Sequence, residues 1–276
     1  MLEPRTTPTR ASSVGALLQH WRKVRHMSQL ALANEAEVSP RHVCFLETGR
    51  ARPSREMVLL LATALDVPLR ERNALLLAAG FAPVYKETDI NAAPLGPVRV
   101  ALDAILRKQE PFPAVVMNRH WDILATNDAA RRFFTMLLGA ARAAGPANLI
   151  RMLFDPAGVR PYVANWESTA EALIQRVYRE SVGGIQDDAT VALLEEILAF
   201  PDVPRRWRKP NLEIPLIPVL PVSFVKEGKT FNYFSAVTTL GTPLDVTLQE
   251  VRVESLFPID KRTEELALEL AAQPLA

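Results

Sequence analysis

Ser39, Arg41 and His42 lie within four positions of one another, Phe45 follows one helical turn later, and Arg50 and Arg52 lie beyond Gly49. If a short helix starts at Ser39, these side chains share its front and the loop behind it. That set suits reading nucleic acid. An arginine can contact guanine O6 and N7 together, worth about 1–3 kcal/mol of discrimination. His42 can donate to a base acceptor or a phosphate. Arg50 and Arg52 suit the phosphate backbone, which would make binding salt-sensitive. Gln29, just after the capping residue Ser28, sits where a helix N-terminus favours a phosphate. The surroundings are basic: Arg22, Lys23, Arg25, Arg41, Arg50, Arg52 and Arg55 face only Glu35, Glu37 and Glu47 between Val14 and Arg55. The whole chain carries a net charge of only +1.

The elements that must hold these residues can be read from spacing. Val14, Leu17, Leu18 and Trp21 form the i, i+3, i+4, i+7 stripe of an amphipathic helix ending near Arg25. Ser28 caps a second helix, Gln29 to about Glu35, with Leu30 and Ala33 inward. Ala36–Glu37–Val38 is a tight turn. Ser39 and Pro40 open a third helix, cap then proline, with Val43 and Leu46 inward and Gly49 stopping it. Ser54 with Met57, Leu60, Leu61, Ala64 and Leu65 predicts a fourth helix closed by Pro68. A fifth runs from about Leu69 to Ala79. Two short helices joined by a tight turn make a helix-turn-helix, whose second helix enters the major groove N-terminus first.

The stretch LLQHWRKVRHMSQLALANEAEVSPRHVCFLETGRARPSREMVLLLATAL resembles the phage-repressor-like, or XRE-type, helix-turn-helix family over about 65 residues. The matching features are the first-helix arginine, Ser-Gln opening the second helix, Leu-Ala within it, Val-Ser opening the third, and Leu-Glu-x-Gly closing it. The resemblance implies that Arg22 pairs with Glu47 to tie the third helix to the first. One such helix contacts few base pairs, so a homodimer is expected, reading a palindrome whose half-sites lie about 34 Å apart. Phage repressors of this type read bases with glutamines where this chain has Pro40 and Phe45. Base reading is therefore expected to move to Arg41 and His42.

The chain has 276 residues, enough for two domains, and 49% are hydrophobic. Its single cysteine, Cys44, excludes an internal disulfide framework. No apolar run reaches the length of a membrane span and the N-terminus is polar, so a cytoplasmic, nucleoid-associated protein is expected. Residues 82–97 are rich in proline and read as a linker. Beyond it, Val98–Lys108 is helical, Ala114–Met117 and Ile123–Ala125 form a hairpin, and Asn127 caps a helix to about Leu138. Further helices fall near 146–154, 165–181 and 187–199. Pro215, Pro218 and Pro221 restrict the next stretch to an edge strand or an extended approach to one. Thr230–Leu240 is apolar on both faces and reads as a central strand. In DVTLQEVRVESLF the apolar phase slips, predicting a bulge near Gln249 or Glu250. Glu264–Ala272 closes the chain as a helix.

AVVMNRHWDILATNDAARRFF resembles the opening of a PAS-type sensory domain, and FSAVTTLGTPLDVTLQEVRVESLFP resembles the end of the ligand-binding domain of MmyB-like regulators. The fold expected is multidomain. An all-α five-helix helix-turn-helix domain occupies 12–81, a linker 82–97, and an α+β PAS-like ligand-binding domain with an antiparallel sheet 98–276. The resemblance implies a small, lipophilic, fatty-acid-like effector. Trp121, Phe133, Phe134, Trp166, Phe231 and Tyr233 supply apolar bulk for its pocket, and Arg131 or Arg132 could hold a carboxylate. Packed core is the alternative reading for each aromatic.

No obligatory cofactor or metal is expected. His120 and Asp122 are too few for a zinc site. The Glu227–Thr230 stretch EGKT lacks the first glycine of a phosphate loop and reads as a hairpin turn. The residues therefore point to a transcription regulator with double-stranded DNA as partner, not to an enzyme. The alternative is an antitoxin-like helical bundle that binds protein and does not read DNA.

Overall fold

Serines start four of the first five helices. Ser13, Ser28, Ser39 and Ser54 each accept a hydrogen bond from the backbone N–H three residues on, at 3.3, 3.0, 3.1 and 3.2 Å. Each such cap contributes about 1 kcal/mol, which matters for helices too short to persist alone. The computed structural model describes residues 13–143, 147–182, 187–209, 219–241 and 243–274. It divides into two units, residues 1–87 with 244–246, and residues 88–243 with 247–276.

The first unit is a helical bundle of α1 (Val14–Val24), α2 (Gln29–Glu35), α3 (Pro40–Glu47), α4 (Arg55–Ala64) and α5 (Leu69–Ala78). Its core is built on Leu18, Trp21, Leu32, Val43, Leu46, Leu61 and Leu65. Two expected inward stripes hold only in part: Ala33, Leu61 and Leu65 are buried, but Leu30 and Leu60 turn outward. Leu30 is 58% exposed, while Leu32 and Ala33 are buried. Likewise Leu60 is 43% exposed, and Val58, Leu61, Ala62 and Leu65 carry the contact. Both helices contain consecutive apolar residues (LALA and MVLLLA), and such runs fit more than one helical phase. Packing against the neighbouring helices chooses between them.

The second unit contains α6 (Gly96–Gln109), β1 (Ala114–Met117), β2 (Ile123–Thr126), α7 (Asp128–Leu138), α8 (Ala140–Ala143), α9 (Leu149–Phe154), α10 (Trp166–Val182) and α11 (Asp188–Ala199). After these come β3 (Leu220–Lys226), β4 (Lys229–Thr239), α12 (Val246–Glu250), β5 (Arg252–Pro258) and α13 (Lys261–Ala271). The strands form one antiparallel sheet in the order β2-β1-β5-β4-β3. β3 is an edge strand with Pro221 inside it, as proline requires; Pro215 and Pro218 lie outside the described residues. Glu227 and Gly228, both at positive φ (50° and 75°), make the two-residue turn between β3 and β4.

β4 is interior to the sheet, but its burial alternates. Phe231, Tyr233 and Ser235 are buried, whereas Asn232, Phe234 and Ala236 are only half-buried. One face is thus covered more fully than the other. The apolar phase slip near Gln249 is not a bulge: Val246–Glu250 is a short helix and the strand begins at Arg252, so the period changes with the element. Among the described strands the register slips instead in the β1–β2 pair, where Leu124 of β2 is the extra residue opposite the step from Val116 to Met117. The main core packs Phe224, Phe231 and Tyr233 against Phe133, Ile150, Phe154, Ile174 and Trp207. On the other face, Leu102 and Leu106 of α6 cover Ala114, Val116, Val251 and Val253.

Candidate nucleic-acid interface and effector cleft

α3 is split lengthwise. Val43 and Leu46 are each 1% exposed, whereas Ser39 and Arg41 stand in solvent and His42, Cys44 and Phe45 are half-buried. What fixes the helix is Glu47. It accepts from Arg22 Nε at 2.6 Å, from Arg22 Nη2 at 2.8 Å, and from Gln29 Nε2 at 2.8 Å. Arg22 Nη1 also donates to the Met27 carbonyl at 2.9 Å. One carboxylate, with its side chain 1% exposed, therefore joins α1, α2 and α3. Burial alone would raise its pKa, but the hydrogen bonds from Arg22 and Gln29 outweigh that and hold it below the ordinary value.

This geometry gives Gln29 a different task from the one its position implied. Its side-chain amide is turned to Glu47. Ser39 uses its hydroxyl to cap α3. Arg50 and Arg52 are exposed in the loop after Gly49, whose φ of 73° makes the sharp stop. Arg41 and Arg50 both place a guanidinium over the Phe45 ring, at 5.1 and 5.9 Å from its centroid. Sequence reasoning missed Gly15. A Cβ there would lie 2.5 Å from the Leu46 carbonyl oxygen and 2.7 Å from that of Glu47. α1 thus touches the C-terminal end of α3 backbone to backbone. A glycine inside an otherwise regular helical stripe was the signal available.

In the second unit an open cleft of about 970 Å³ lies along the edge strand β2. Ile123, Leu124, Phe134, Met136, Met152 and Leu270 give it apolar walls, and Arg131, Arg132, Arg142 and Arg151 give it positive ones. Arg131 pairs with Asp128, Arg142 with Asp155 at 3.6 Å, and Arg151 with Glu196 at 2.9 Å. Arg132 Nε donates instead to a neutral group, the Gln273 carbonyl, at 2.8 Å.

Two family descriptions fit this chain. The MmyB-like transcription regulator ligand binding domain matches residues 98–270, well over half of its length, and a helix-turn-helix domain matches residues 13–75. The chain belongs to the MmyB-like transcription regulators. No curated protein matches it. An MmyB-like regulator joins a DNA-binding domain to a ligand-binding domain, and the two units supply one of each. No described helix is long and apolar enough to cross a membrane.

The regulator does not gather its seven sequence-predicted ligand residues in one place. Arg131 and Phe134 line the cleft. Phe133, Phe231 and Tyr233 are packed core: the Phe133 ring meets Phe224, Phe231 and Tyr233 edge-on at 5.0, 5.5 and 5.8 Å. Trp166 lies elsewhere, stacked under the Arg160 guanidinium at 3.9 Å and beside Trp207. Trp121 is 1% exposed, in the β1–β2 turn at a φ of 67°. Its face carries the Arg176 guanidinium at 4.7 Å, and its Nε1 finds no hydrogen-bond partner among the described residues.

Arg176 also leads to a buried acid that sequence reasoning missed. Glu254 of β5 hydrogen-bonds Ser235 and lies 3.7 Å from Arg176. Burial pushes its carboxyl up, against the opposing pull of Arg176 and the Ser235 hydrogen bond. A glutamate inside an apolar strand was the available sign, but its partners come from α10 and β4, far off in sequence.

Proposed function

We propose that this regulator reads a specific operator with Arg41 and His42 of α3, holds the adjacent backbone with Arg50 and Arg52, and works as a homodimer. The observation that carries the reading is the Glu47 cluster. It fastens the inner side of α3 to α1 and α2 and leaves the opposite side, with Arg41, in solvent. A single short helix touches few base pairs, so two copies on a palindrome would supply the specificity. Selection from a random duplex library with the full chain tests this. One enriched palindromic sequence is expected, with a log–log salt dependence as steep as several phosphate contacts demand. No enriched sequence and a shallow salt slope would favour a bundle that binds protein instead.

The second unit is proposed to sense a lipophilic acid, fatty-acid-like in having one anionic end, and to be a PAS-like sensor. A β-hairpin followed by an asparagine-capped helix supports the latter. For the ligand, the cleft has the volume of a small-molecule site, apolar walls and arginines at its margin. Arg132 could take the acid group while Phe134, Met136 and Met152 line the tail. An effector shifts DNA binding only as far as it prefers one state, typically 5- to 150-fold. Native mass spectrometry of the purified protein should show a co-purifying acid, and adding a medium-chain fatty acid should change operator affinity within that range. Protein that is repeatedly ligand-free and indifferent to the acid would refute this part. Such a protein would be expected in the cytoplasm, on the nucleoid.

A further inference from the structure

Four of the eight described arginines of the helical bundle, Arg22, Arg25, Arg70 and Arg72, are tied to acids or carbonyls. Arg22 holds Glu47, Arg25 holds the Leu65 and Asp66 carbonyls, and Arg72 holds the Val67 carbonyl. Arg41 and Arg50 differ. Neither enters an ion pair with a described residue, and each lays its guanidinium over the ring of Phe45, at 5.1 and 5.9 Å. The backbone is arranged to the same end. The N–H groups of Arg50 and Ala51 both donate to the Phe45 carbonyl, at 2.8 and 3.1 Å, so the loop after Gly49 folds back on this one residue.

We infer that Phe45 is a positioning residue of the reading surface, holding Arg41 toward the bases and Arg50 toward the adjacent backbone so that the two act as one unit. The inference rests on the reading that α3 binds DNA. Its physical basis is the cost of ordering. A free arginine side chain loses several rotatable bonds when it is fixed on a base, and that loss subtracts from affinity. A guanidinium already resting on an aromatic face has lost part of that freedom beforehand. Unlike a carboxylate partner, the ring leaves the positive charge uncompensated. A ring partner also takes up none of the guanidinium's N–H donors as a carboxylate would, so they stay available for bidentate contacts. A glutamine at this position would read a base by itself. Phenylalanine reads through its neighbours.

The test uses the full chain and an operator selected from a random duplex library by the unaltered protein. Phe45→Leu keeps an apolar side chain at a half-buried site, so its melting temperature should match that of the parent. Its operator affinity should fall about threefold to thirtyfold, the range of one or two ring–cation contacts. The preference for the base that Arg41 reads should relax at the same time. Phe45→Tyr should restore both. In the Phe45→Leu background, Arg41→Ala should cost clearly less than it does alone, because the two changes remove one unit. A merely structural Phe45 would lower melting temperature and binding to all sequences alike, and would leave the base preference intact. That outcome, or strict additivity of the two substitutions, would overturn the inference. If the unaltered protein enriches no sequence at all, the DNA-reading assignment itself fails and this one falls with it.

Discussion

The helical bundle and the sheet domain use their conspicuous side chains in opposite ways. In the bundle, one eight-residue helix separates its faces: Val43, Leu46 and Glu47 hold it, while Arg41 is exposed and His42 and Phe45 are half-buried. In the sheet domain the aromatics that look like a ligand box are mostly the core itself, with Phe133 packed among Phe224, Phe231 and Tyr233. The open cleft lies outside that core, along β2 and α7. A polar side chain on a short helix can be judged from its immediate neighbours. Whether an aromatic is wall or filling depends on which distant elements pack around it.

Neighbouring phenylalanines give the sharpest way to break this contrast. Phe133→Ala removes a ring with no exposure and should destabilise the sheet domain by about 3–5 kcal/mol. Phe134→Ala, on the cleft wall, should cost about 1 kcal/mol or less and act on binding of a fatty acid instead. Thermal unfolding and a ligand titration on both variants check the pair. Equal losses of stability would dissolve the distinction between core and cleft.

On the bundle side, Glu47→Gln should cost about 3 kcal/mol, because it leaves the Arg22 guanidinium without its buried carboxylate. DNA binding should weaken with it, since α3 loses its anchor. Acid should imitate the substitution. The folded pKa of Glu47 lies below its ordinary value of 4.5, so its contribution is complete above that pH and is lost as pH falls through the folded value. Unfolding measured from pH 7 downward should show the loss in the parent and not in Glu47→Gln.

Gly15→Ala is expected to cost about 1–3 kcal/mol, the reverse of the gain that helix propensity alone would give. The added Cβ meets the Leu46 and Glu47 carbonyls at the end of α3. Both melting temperature and operator affinity should drop. A stabilised variant would show that α1 and α3 do not approach so closely.

The smallest expected effect returns to the sheet domain. The Glu254 pKa is raised, so its penalty is absent below its ordinary 4.5 and grows as pH rises from there toward the folded value. Glu254→Gln should flatten that decline and leave the protein on the order of 1 kcal/mol more stable at the alkaline end. Parallel stability–pH curves for parent and variant would contradict this.

The bundle was largely legible because its signals are local. Serine caps, the Ser39–Pro40 start, the Gly49 stop and the Arg22–Glu47 pairing all follow from short spacings or the helix-turn-helix resemblance, and the structure forms each of them. Its errors are errors of phase at Leu30 and Leu60, where apolar runs fit two faces equally well. Gln29 was legible as a helix start but not as a ligand of Glu47, which comes from another helix. In the sheet domain the Asn127 cap, the Glu227–Gly228 turn and the edge strand with Pro221 were legible from local signals, whereas the helix Val246–Glu250 was misread as a bulged strand. The cleft was not legible, because β2, α7, α9 and the end of α13 form it together. Glu254 and its partners escaped for the same reason.

The central claim is that α3 presents Arg41 for reading a specific operator. The most direct test compares the affinity of the full chain and of Arg41→Ala for the selected operator and for an unrelated duplex, over a range of salt. The account predicts a steep salt dependence for both proteins. It also predicts that Arg41→Ala loses about five- to 150-fold on the operator, and little more than one unit of salt slope on the unrelated duplex. An Arg41→Ala protein that keeps the operator's full advantage over the unrelated duplex would contradict it.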